Sequence, residues 1–101
     1  MRDDARSLLV FFSSARSGPA RRMDSLLAHV ARKERHRLRV ITVDADRKPE
    51  LADRLAVEDV PTLVLVRGNR AVARLEGRAS APQIEAMLAE HLPESVSAAG
   101  A

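Results

Sequence analysis

The 101-residue chain contains no cysteine, which excludes disulfides, thiolate nucleophiles and every metal site built on sulfur. Its length fits one domain, and a hydrophobic content of 46% supports a single modest core. A net charge of +3 and a pI near 10.5 admit an acidic partner or nucleic acid, but Phe11 and Phe12 are the only aromatic residues, so single-stranded bases find no stacking platform.

Of the 17 cationic residues only Lys33 and Lys48 are lysines. A coding sequence rich in G and C raises arginine and alanine together, so the charge alone does not argue for nucleic acid. Met1, Arg2, Asp3 and Asp4 place acids where a signal peptide needs net positive charge, and the apolar run 8–12 is too short for a signal core. No stretch is apolar enough to span a membrane. The expectation is a soluble, cytoplasmic protein.

Residues 7–12 form a continuous apolar run and read as a strand buried on both faces. A turn of small residues follows, from Ser13 to Pro19. Met23, Leu26, Leu27 and Val30 then recur at helical spacing, which predicts an amphipathic helix over about 18–35. Ser17 is its expected N-cap, and Pro19 suits a first turn. Residues 39–44 read as a second strand. Asp46 and Pro49 open a short helix that turns Leu51, Ala52 and Leu55 inward.

Val60-Pro61 interrupts the chain before a third strand over 62–66. Gly68-Asn69 makes a tight turn into a fourth strand over 71–75, so the two strands form a hairpin closed by Gly77. Ser80 with Gln83 predicts a capping box. Ile84, Met87, Leu88 and His91 or Leu92 make the stripe of a last helix, which Pro93 stops. The domain is expected to span 6–92, with a flexible tail over 93–101.

The order is β-α-β-α-β-β-α. Strands separated by helices imply parallel pairing, and the closing hairpin implies an antiparallel edge. The predicted fold is α/β: a four-stranded mixed sheet flanked by three helices on both faces. An open edge is consistent with a monomer or a weak homodimer.

Taken together these features resemble the thioredoxin superfamily. Ser17-Gly18-Pro19-Ala20 stands at a helix start after a buried strand, where that family has Cys-Gly-Pro-Cys, and Arg21-Arg22 follow as basic residues do there. Val60-Pro61-Thr62 resembles the family's cis-proline segment, at the expected separation from Ser17. Gly77 closes the last strand where the family places a glycine beside its groove, and Asp44-Ala45-Asp46 resembles another recurring stretch. The family's usual first strand and helix have no counterpart. Bacteria hold cysteine-less thioredoxin-like proteins, and this chain is similar to those.

The departures fall on the chemistry. Ser17 and Ala20 replace both cysteines, and Arg16 replaces the usual tryptophan. The resemblance places a buried acid at Phe11 and its facing lysine at Val40. Nucleophile, resolving thiol and proton relay are all missing, so the family's function does not follow from its fold. Ser17 would need an adjacent base to act as a nucleophile. His29, His36 and His91 do not converge on it, and they lack metal-ligand spacing. No catalytic residue, cofactor or metal is expected.

The resemblance implies that Pro61 is cis and that the Val60 N–H and C=O face outward. An extended peptide would pair with them by strand addition. The expected groove comprises Val60, Pro61, Arg16, Gly77 and Arg78, beside the degenerate motif. Arg16, Arg21 and Arg22 at a helix start form a candidate anion site. Arg32, Lys33, Arg35, Arg37 and Arg39 cluster at the other helix end, where cations complement the dipole.

The leading expectation is therefore a redox-inactive, non-enzymatic module that binds an extended peptide or protein partner. The alternatives are an oxidoreductase by descent that has lost its dithiol, and an arginine-rich anion- or nucleic-acid-binding protein.

Overall fold

A computed structural model describes residues 6–16, 18 and 22–92. The elements follow the expected order: β1 (Ser7–Ser13), α1 (Asp24–Lys33), β2 (Leu38–Asp44), α2 (Pro49–Arg54), β3 (Thr62–Arg67), β4 (Arg70–Glu76) and α3 (Ala81–His91). One sheet carries the strands in the order β2-β1-β3-β4. β1 pairs parallel with β2 and antiparallel with β3, and β3 pairs antiparallel with β4. β1 therefore lies inside the sheet, which explains why its run of apolar residues does not alternate.

The sheet divides the core into two layers. Leu9, Phe11, Leu63 and Leu65 turn to one face, under α1 and α3, with Met23, Leu27, Val30, Ile84 and Leu88. Val10, Phe12, Val43 and Val64 turn to the other, under α2, with Ala52. Successive residues of a strand point to opposite faces, so Phe11 and Phe12, both 0% exposed, serve different layers.

Of the helix predicted over 18–35, the described residues show the main part as α1. Gly18 and Arg22 have helical backbone, Met23 forms a turn, and α1 runs only from Asp24 to Lys33. Met23 has no capping side chain, and its own side chain is buried at 4% exposure. At the far end Glu34 accepts from the Leu38 N–H at 2.8 Å, and this turn delivers Leu38 into the core.

Ser80 caps α3: its Oγ accepts from the Gln83 N–H at 3.3 Å, and Gln83 Oε1 accepts from the Ser80 N–H at 2.8 Å. Gly68 and Asn69 have φ of 54° and 69°, the paired left-handed residues that a two-residue hairpin requires. A bulge follows in the β3–β4 pairing at Leu65/Val66. The expected N-cap Ser17, together with Pro19, Ala20, Arg21 and the tail 93–101, lies outside the described residues. No helix among the described residues is long and apolar enough to cross a membrane.

Candidate functional site

Pairing directions bring three segments to one end of the sheet. Phe12 of β1 lies opposite Thr62 of β3, and Thr62 lies opposite Glu76 of β4. The segment after β1, the segment before β3 and the segment after β4 therefore meet. Gly77 leaves β4 with φ 80°, and its N–H donates to the Pro61 C=O at 2.8 Å. That bond ties the Gly77-Arg78 loop to Val60-Pro61. The Val60–Pro61 peptide bond is cis. Thr62, 1% exposed, donates from Oγ1 to the Asp59 C=O at 2.7 Å and holds the same turn from within.

Val60 is half-buried against the α2 layer. Among the described residues its N–H and C=O make no backbone hydrogen bond.

The turn after β1 is fixed by a short polar chain. Ser14, buried at 7% exposure, donates from Oγ to Asp46 Oδ2 at 2.7 Å and accepts from the Arg16 N–H at 3.2 Å. Asp46 in turn donates its N–H to Asp44 Oδ1 at 2.9 Å. The Asp44-Ala45-Asp46 stretch thus anchors the backbone of Arg16, whose side chain is exposed. Sequence reading passed over Ser14 as one more small residue in a turn; its partner lies on another strand's end.

Beside this junction, α1 and the loop entering α3 enclose a cleft of about 380 Å³. Arg22 and Arg78 line it, with Met23, Leu26 and Ala79. Of the three arginines of the candidate anion site, Arg22 lines the cleft, Arg16 does not, and Arg21 lies outside the described residues. Sequence analysis assigned Met23 and Leu26 to a core stripe. Met23 is buried and Leu26 half-buried, yet both also line the cleft.

The remaining candidates lie apart. His29 and His36 are exposed, and His91 lies beside Glu90 at 3.6 Å on α3. No cluster of metal-ligating side chains occurs among the described residues. Phe11 and Val40 pack in one apolar layer, so carboxyl–ammonium chemistry is absent where the resemblance places it. The basic cluster after α1 is partly engaged in structure: Lys33 Nζ pairs with Glu85 at 3.0 Å and Arg37 Nε with Glu34 at 2.7 Å.

Comparison with known proteins agrees with this geometry. The sequence profile of the family described as Thioredoxin matches residues 1–90. A thioredoxin of Alicyclobacillus acidocaldarius is 33% identical over 87 residues, covering 86% of this chain and 83% of its own. A thioredoxin-like protein of Synechocystis is 32% identical over 79 residues, covering 78% and 75%. Among solved structures, the germline-specific thioredoxin Deadhead of Drosophila melanogaster superposes with a TM-score of 0.81 at 30% identity, covering 88% of this chain and 84% of that one. The chain has the thioredoxin fold, lacks the cysteines of a dithiol site, and belongs to the thioredoxin family.

Proposed function

We propose that this domain binds an extended peptide or protein segment at the junction of Val60-Pro61 with Gly77-Arg78, and does so without redox chemistry. The observation that carries the reading is the 2.8 Å bond from the Gly77 N–H to the Pro61 C=O. It holds two loops side by side while the Val60 N–H and C=O lack backbone partners among the described residues. Backbone pairing supplies affinity in strand addition, and flanking side chains supply selectivity. Arg16 and Arg78 are both exposed.

The absence of cysteine from the sequence removes disulfide exchange from the chain's own repertoire. The same scaffold is left with recognition. The area on offer is small, so a single site should bind weakly, and tight association requires more than one contact or copy.

The test is amide NMR with peptides selected from a random extended library. Binders should shift the amides of Val60, Gly77 and Arg78 first. Binders whose shifts fall only on the hairpin turn at Gly68-Asn69, or a library that yields none, would refute the reading.

A further inference from the structure

The cleft beside the junction is lined by both charged and apolar side chains. Arg22 and Arg78 line it with Met23, Leu26 and Ala79, and among the described residues none that lines it is acidic. Among the described residues neither guanidinium has an ion-pair partner. That contrasts with Lys33, Arg37 and Arg74, which are paired with Glu85, Glu34 and Glu76. Two arginines come from segments far apart in sequence, one before α1 and one after β4, and the fold brings them to one opening.

We propose that this cleft selects acidic segments: the bound peptide places an aspartate or glutamate side chain between Arg22 and Arg78 and an adjacent apolar side chain on Met23, Leu26 and Ala79. This rests on the reading that the neighbouring junction binds an extended segment, and it names the chemistry that segment must carry. A guanidinium fork matches a carboxylate with two parallel hydrogen bonds. An apolar floor rewards a residue with hydrocarbon to bury.

At the start of α3 the capping box engages two backbone donors, since Ser80 Oγ accepts from the Gln83 N–H and Gln83 Oε1 accepts from the Ser80 N–H. The positive charge is carried by side chains, and side chains can be removed. Nucleic acid fits less well. The apolar floor offers phosphate nothing, and the chain's two aromatic rings, Phe11 and Phe12, are both 0% exposed and cannot stack on a base.

The experiment uses fluorescence anisotropy with the full chain and a labelled octapeptide of alternating leucine and glutamate, blocked at both ends. Controls are the same peptide with glutamine for glutamate, the glutamine peptide with a free C-terminal carboxylate, and an eight-nucleotide uridine RNA. The glutamate peptide should bind about tenfold more tightly than its blocked glutamine counterpart. Arg22→Gln and Arg78→Gln should each weaken it about threefold, and the double variant about tenfold, to the glutamine level. Arg70→Gln, on the exposed hairpin at the far end of the sheet, should change nothing. All three arginines are exposed, so unchanged melting temperatures should accompany the losses.

Equal binding of the two blocked peptides overturns the acidic selectivity and leaves the peptide-binding reading intact. No binding of either overturns both. Preference for the free terminus shows that the cleft reads chain ends, and preference for the RNA shows that it reads phosphate; either result refutes selection of an acidic side chain.

Discussion

Phe11 and Val40 occupy one apolar layer of the core. Hydrocarbon at both positions avoids the desolvation of a buried charge, and it also leaves nothing there to hold or pass a proton. Replacing Ser17 and Ala20 by cysteine should therefore recreate a dithiol without a relay. We expect Ser17→Cys with Ala20→Cys to reduce insulin about a hundredfold more slowly than a thioredoxin that retains the buried acid, since a placed acid–base group contributes roughly 10²–10⁴-fold. Turnover at the rate of that thioredoxin would show that Phe11 is no handicap. A second residue-scale expectation concerns Ala56, which ends α2 with φ 58°. A left-handed residue with a Cβ costs about 1–2 kcal/mol. Glycine removes that strain and returns about 0.4–1 kcal/mol of it as chain entropy in the unfolded state. Ala56→Gly should thus stabilise the domain by about 0.5–1 kcal/mol, read as a melting temperature a few degrees higher.

At the scale of elements, α2 is the one most in need of support. Six residues are too few for a helix to hold itself. Pro49 begins it, and its end is closed by the Ala56 N–H on the Asp53 C=O at 3.0 Å and the Val57 N–H on the Ala52 C=O at 2.8 Å. Arg74 of β4 then donates to the Leu55 C=O at 2.6 Å and to the Ala56 C=O at 2.9 Å. Charged donors on the last carbonyls of a helix are favourable on both hydrogen-bond and dipole grounds. Arg74→Ala should cost about 1–2 kcal/mol in urea unfolding, with the side chain's partial exposure keeping the loss near the lower figure. Arg74→Lys should recover only part of it, because an ammonium lacks the planar fork that spans two carbonyls. Full recovery by lysine would reduce the clamp to charge alone.

The elements differ in how plainly the sequence announced them. α3 was legible from its cap residues, because Ser80 and Gln83 satisfy each other locally. At the start of α1 Met23 offers no capping atom, and the N-cap read from the sequence, Ser17, lies outside the described residues. The hairpin turn was legible from Gly68-Asn69, but the bulge at Leu65/Val66 left no mark in the strand pattern. The Arg74 clamp was invisible for a different reason: nothing in its neighbourhood hints at carbonyls exposed at the end of a helix on another part of the chain.

For the whole molecule, the alternation of layers follows from strands whose order and direction were readable in outline. Leu9, Phe11, Leu63 and Leu65 supply one face, and Val10, Phe12 and Val64 the other. The nearness of Val60-Pro61 to Gly77 was legible through the family resemblance, and the Gly77–Pro61 bond joins the two segments. The cleft was not legible, since Arg22 and Arg78 read locally as solvated cations and only tertiary folding gives them a shared opening. One expectation spans the domain. Thermal and urea unfolding should be a single cooperative transition, as in other chains of this size, with both layers lost together because β1 and β3 belong to each.

Phe11 and Phe12 make that claim directly observable. The protein has no tryptophan or tyrosine, and these two neighbours are its only aromatic side chains. Fluorine-labelled phenylalanine incorporated throughout would yield two resonances, one reporting from beneath α1 and α3 and one from beneath α2. Neither signal needs an engineered probe, and neither has a third ring to confuse it. Chain chemistry has thus equipped each side of the sheet with its own beacon, and simultaneous fading of the pair on heating would show that the two halves of the interior melt as one.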